Sequence, residues 1–183
     1  MVTKIVILLG ISVASLLCWA AEPEIVEFEE MTVVGMQSLV SMKHNIIHEL
    51  WTRFMESGQE IENPAIEGVY FGISWGYKHI GEDEKKEMQF FHLVGAPVTS
   101  FEILPEGFTY KRIPAQQYAK FVHRGPLTDL TKTYDHIFIE WLPGSEYLYD
   151  EEKFDIEWYD ERFKYGEEDS ELDIYVPVMK KTE

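Results

Sequence analysis

Glu157 stands in the stretch FDIEWYDERF, residues 154–163, with Ile156 before it and Trp158 and Tyr159 after it. A carboxylate among aromatic rings suits two kinds of chemistry. It can neutralise an organic cation whose hydrocarbon part stacks on the rings, or it can act as a general base once loss of water raises its proton affinity. At period two, Phe154, Ile156 and Trp158 fall on one face of a strand, and Asp155, Glu157 and Tyr159 fall on the other. Taken alone, this pattern also suits a strand with one wet face, where an exposed Glu is ordinary.

Other reactive groupings are weaker. His44 and His48 lie four apart on a helical stretch, a spacing able to hold a metal. Asn45, Glu49 and Arg53 mark that face as solvated, however, and a third ligand is not evident, so no metal site is expected. There is no GxSxG, Walker or dinucleotide fingerprint, and Ser145 falls in a Pro-Gly turn, so neither a serine hydrolase nor a cofactor is expected.

The elements that must position Glu157 read as two similar passes. The first runs EIVEFEEMTVVGMQS, a helical SMKHNIIHELWTRFMESG, then strands EGVYFGISWGY and MQFFHLVGAPV, with the charged KHIGEDEKKE as a hairpin loop. Ile46, Ile47, Leu50, Trp51 and Phe54 recur at helical spacing, and Gly58 suits a stop. The second pass runs FTYKRIPAQQYAKFVHRG, a helical LTDLTKTYDHIFIEWL closed by Pro143 and Gly144, then FDIEWYDERF and LDIYVPVM. Leu127, Leu130, Tyr134, Ile137, Phe138 and Trp141 mark its helix face, with Thr128 or Asp129 as cap. The order strand, helix, strand, strand thus occurs twice. A pseudo-twofold α+β domain follows, with antiparallel sheets backed by two helices. If the helices cover one side of the sheet, the other side can form a central groove where the halves meet, lined by Asp155, Glu157 and Tyr159. Trp75 and Tyr77, placed on one face by strict alternation, are candidates to enter it from the first pass.

The chain has 183 residues, enough for one well-buried domain, and is rich in aromatics, with five Trp, ten Tyr and eleven Phe. Its 33 acidic against 16 basic residues give a formal charge of −17. Such a field repels nucleic-acid phosphates and anionic membranes and attracts cations. At the amino terminus Lys4 precedes an uncharged run, Ile5 to Ala20, with small Ala20 and Ala21 before an acidic stretch. Residues 1–20 therefore read as a signal peptide, and the protein as exported, periplasmic or secreted. The run is shorter than the roughly 20 residues of a spanning helix. Cleavage after Ala20 removes Cys18, the only cysteine, and with it disulfide, thiol and thiolate chemistry. Lipidation at Cys18 is the alternative, disfavoured by the bulky Leu17.

Four ordered blocks, IPAQQYAKFVHRGP, YDHIFIEWLPGSEY, FDIEWYDERF and LDIYVPV, resemble the carboxy-terminal pattern of the GyrI-like small-molecule-binding domain, also called the AraC effector-binding domain. VVGM, FGISWGY and FFHLVGAPV resemble its first half, and the expected domain is residues 24–181. The resemblance implies a duplicated fold whose central aromatic groove holds a small aromatic or lipophilic, cationic ligand. It places the acidic pocket residue on Glu157, beside Tyr159, and matches Tyr147, Tyr175 and Trp141 to aromatic ligand-binding positions. The alternative it implies is a hydrolase that opens strained, cyclopropanoid-type molecules, with Glu157 as base and Tyr147 as proton donor.

Overall fold

The computed structural model describes residues 22–41, 43–57, 61–80 and 87–182; the signal-peptide reading of residues 1–20 lies outside them. Strands β1 (Glu24–Phe28) and β2 (Met31–Ser41) lead to helix α1 (Ile47–Ser57) and then to β3 (Tyr70–Ile80) and β4 (Glu87–Val98). The second half repeats this order: β5 (Thr109–Ile113), β6 (Gln116–Arg124), a helical segment, the short β7 (Tyr147–Tyr149), β8 (Asp155–Tyr159) and β9 (Glu171–Lys180). Within that segment a 3-10 turn, Leu127–Asp129, runs into α2 (Leu130–Asp135), a π-helical turn His136–Trp141 and a final turn Leu142–Gly144.

The expected α+β fold with antiparallel pairing and two helices is present. Its two halves form a single sheet of order β1-β6-β9-β8-β3-β4-β2-β5, with β7 attached to β9. Each half contributes three neighbouring strands, and the halves join where β3 pairs β8. The first strand of each half is exchanged: β1 pairs β6, and β5 pairs β2. This exchange locks the halves together, because neither can leave without breaking the other's edge.

Alternation sorts the side chains to two faces. Phe71, Ile73, Ile156, Tyr118 and Tyr175 meet Phe28 and Val33 in a packed core on one face. On the other face Ile174, Val176 and Tyr159 lie under the second helical segment, and Met36 and Val94 lie under α1. All six apolar residues expected on the second helix face pack there. The π turn, one residue wider than an α turn, lets Ile137, Phe138 and Trp141 all reach the sheet. Helix α1 begins later than the sequence pattern suggested. β2 continues through Ser41, and the Asn45 Oδ1 then caps by accepting from the Ile47 N–H at 3.1 Å.

Candidate functional site

One placement corrects the expected groove. Asp155, Glu157 and Tyr159 face the helices, whereas the opposite face of the sheet is filled by the Ile156 core. The open space lies instead between α1 and the second helical segment, a cavity of about 1090 Å³ floored by Tyr70, Glu157 and Tyr159. The reason is steric. The other face is filled by its own large side chains, Phe71, Tyr118, Ile156 and Tyr175, and the room is left on the helix side.

Helix α1 gives the cavity Ile47, His48, Trp51, Thr52 and Met55; Leu127 and Leu130 stand opposite, and Phe163 and Tyr165 close one end. The Trp51 ring meets Tyr159 edge-on at 4.8 Å, and Phe163 meets Tyr159 from another side at 4.8 Å. The walls are largely apolar and aromatic, with Asn45, His48, Thr52, Glu56 and Asp160 as polar members around a floor that carries Glu157.

Glu157 is held by two phenols. Tyr134 on α2 donates to its Oε1 at 2.9 Å, and Tyr159 donates to its Oε2 at 2.6 Å. Burial raises the Glu157 pKa, and the two tyrosine donors oppose that rise. Next along the same face Asp155 is 3 % exposed, and its Oδ2 accepts from Tyr77 at 2.5 Å and from Tyr149 at 3.1 Å. Its Oδ1 is buried without a partner. Burial pushes Asp155 up to about 7 against the pull of both tyrosines, and the nearby Glu157 adds to the rise. No Lys or Arg among the described residues offsets either carboxylate. The tyrosines are pushed up in turn, first by burial and then by the carboxylate charges, so they stay neutral donors.

Glu157 fits here because of Gly72, its direct partner on β3. A Cβ at Gly72 would stand 3.0 Å from the Glu157 Oε2 and 3.2 Å from the His92 Cε1. His92 is 2 % exposed; its Nδ1 lies 2.8 Å from the Ser74 Oγ, and its Nε2 has no partner. Burial lowers His92 to about 4, so it is neutral at ordinary pH.

Of the residues singled out from sequence, Glu157 and Tyr159 line the cavity together. Tyr77 lies beneath it on Asp155, and Trp75 is on the opposite face, stacked on Phe91 at 5.5 Å. Strict alternation had put these two side by side. A bulge between Trp75 and Lys78, with Gly76 at φ +67°, inserts a residue and turns Tyr77 over. Tyr175 belongs to the opposite core, edge-on to Phe28 at 5.5 Å. Trp141 and Tyr147 stack on each other at 6.2 Å within the helix-side core and do not reach the cavity. The sequence reading missed Trp51, Met55, Leu130, Tyr134, Phe163 and His92. Trp51 and Met55 had a signal, since they form a second stripe on α1 beside the buried Leu50 and Phe54. His48 does line the cavity, and no cluster able to hold a metal is found among the described residues.

A family model described as Cass2, integron-associated effector binding protein, matches residues 24–178. The chain is 29% identical over 155 residues to the transcriptional regulator BrlR of Pseudomonas aeruginosa; the match covers 84% of this chain and 54% of BrlR, so the chain spans about half the length of that protein. Among solved structures, an integron cassette protein from the Vibrio cholerae mobile metagenome shares the fold, with TM-score 0.62 at 14% identity over 88% of this chain and 98% of that one. SAV2435, solved bound to tetraphenylphosphonium, aligns with TM-score 0.65 at 13% identity over 87% and 94%. The EcmrR C-terminal domain aligns with TM-score 0.61 at 20% identity over 89% and 98%, and EcmrR is also solved in a complex with DNA.

Proposed function

We propose, from the premise that this chain belongs to the Cass2 family of integron-associated effector-binding proteins, that it is a receptor for lipophilic organic cations, seated between the two helices with Glu157 as the counter-charge. The observation that carries this reading is a carboxylate without a basic neighbour, held open to an aromatic-walled cavity by two phenols. A cation entering there neutralises Glu157, and each ring it touches adds about 0.5–2 kcal/mol. Such a site favours charge and bulk over hydrogen-bond pattern, so it accepts many ligands. The tetraphenylphosphonium-bound relative SAV2435 supports the same class of ligand.

The hydrolase alternative needs a proton donor across the ligand from Glu157. Tyr147, the donor that the resemblance implies, stacks on Trp141 away from the cavity, and the Tyr159 hydroxyl is already given to Glu157. Binding is therefore the better reading. In a longer protein carrying this domain, the acidic charge here does not bar nucleic-acid contact made elsewhere. Export, with residues 1–20 as a cleaved signal and 24–181 as the binding domain, is part of the proposal.

Calorimetric titration with tetraphenylphosphonium tests the reading. Glu157→Gln keeps the shape and removes the charge, so affinity for the cation falls about tenfold or more, the scale of a charge-assisted contact of about 1.5–3 kcal/mol. A neutral aromatic ligand changes little. Equal loss for both ligands would make Glu157 structural.

A further inference from the structure

Glu157 stands on the cavity floor, Glu56 and Asp160 also line the cavity, and Asp155 is sealed beneath it. We infer that Asp155 determines the charge specificity of the cavity through its field rather than by contact, favouring cations while it is ionised and releasing them when the solution acidifies. The inference rests on the cation-receptor reading above and adds a second acid to it.

Three observations carry it. Asp155 and Glu157 share a strand face, about 7 Å apart along the strand, close enough for their charges to interact through a poorly hydrated interior. Asp155 does not line the cavity and is almost wholly buried, so a ligand feels its charge without touching it. Its buried, unpartnered Oδ1 leaves room for a proton at no cost in existing hydrogen bonds.

The groups facing Asp155 are all neutral or acidic. Tyr77 comes from β3, with Ser74 and then His92 behind it, and Tyr149 comes from β7 with Asp150 and Glu151 beside it. Tyr118 on β6, Tyr134 on α2 and Glu157 on its own strand complete the surroundings. None of them supplies the positive charge that would keep Asp155 ionised at low pH. Burial brings its titration to about 7, where a modest change in acidity alters its charge. A bound cation favours the ionised form, and by reciprocity ionised Asp155 favours the bound cation. Binding near neutral pH must therefore expel a fraction of a proton.

The experiment is titration of the full chain with tetraphenylphosphonium between pH 8 and pH 6, in two buffers of different ionisation heat so that proton release is counted. Wild-type affinity is expected to fall about tenfold over this range, with proton release greatest near its midpoint. Asp155→Asn, close in shape and without a titrating proton, is expected to bind with an affinity that barely changes over the range and to release no proton there. Tyr149→Phe removes one donor to the carboxylate without touching the cavity, so the wild-type midpoint is expected to move to higher pH. If Asp155→Asn keeps the wild-type slope and proton release, or Tyr149→Phe leaves the midpoint in place, the inference is overturned while the receptor reading stands. The Tyr149→Phe result decides even if Asp155→Asn does not fold. Absence of binding by the wild type throughout would overturn both.

Discussion

Two buried residues on β8 and β4, the strands on either side of β3, titrate in opposite senses. Asp155 is raised by burial from 3.8 to about 7, so its contribution to stability is fully present below about 3.8 and is lost as pH rises through 7. His92 is lowered by burial from 6.5 to about 4, so its contribution is present above 6.5 and is lost as pH falls through 4. Between pH 7 and pH 4 the two slopes oppose each other. Each pH unit separating folded and unfolded titration is about 1.4 kcal/mol, so either group alone is worth a few kcal/mol across that window. Asp155→Asn leaves only the His92 slope. Relative to wild type, the variant is expected to lose about 2–3 kcal/mol of stability between pH 8 and pH 5, read by urea unfolding at both values. An unchanged difference between the two proteins at the two pH values would show that Asp155 does not titrate in the folded state.

Helix α1 is both a core element and a cavity wall, and its two stripes divide the work. Leu50 and Phe54 are buried against Met36 and Val94, while His48, Trp51 and Met55 turn toward the open space. Phe54 is fully buried and meets Trp51, Tyr70 and Phe108 at ring distances of 5.8 to 6.2 Å. Phe54→Ala should therefore cost about 3–5 kcal/mol in urea unfolding, and it should weaken tetraphenylphosphonium binding because Trp51 loses its backing. A cost below about 1 kcal/mol would mean that other contacts hold the helix. The second helical segment is tied down differently: the His123 Nδ1 lies 2.8 Å from the Thr133 Oγ1, one residue before the Tyr134–Glu157 bond.

For the whole molecule, the duplication explains why one half carries the acids. Gly72 and Glu157 form the middle pair of the five that join β3 to β8. The pseudo-twofold axis therefore passes close to them, and each occupies the other's place in the repeated pattern. Two glutamates there would meet across the axis with like charge and too little room, whereas a glycine opposite one glutamate leaves space for its carboxylate. The remaining acidic excess, within a formal charge of −17, draws cations toward the protein at low ionic strength. The proposed export belongs to this scale as well. Amino-terminal sequencing of exported material should begin near Ala21, and recovery of the intact chain wholly from cytosol would sink that proposal.

The amino-acid sequence by itself determined the element order, the duplication, the inward stripe of each helix and the face shared by Asp155, Glu157 and Tyr159. These follow from local periodicity, which short-range sterics and the need to bury apolar side chains translate directly into structure. Tertiary structure decided which sheet face the helices cover, because alternation distinguishes two faces without saying what packs on either. It also decided that Tyr77 turns away from Trp75, since a single bulge at Gly76 reverses every later assignment on that strand. Tyr134 and His92 come to Glu157 only through the meeting of strands and helix far apart in the chain. The sealing of Asp155 is of the same kind: the burial that moves its titration is produced by β3 and β7 closing over β8, a long-range contact that no window of neighbouring residues contains.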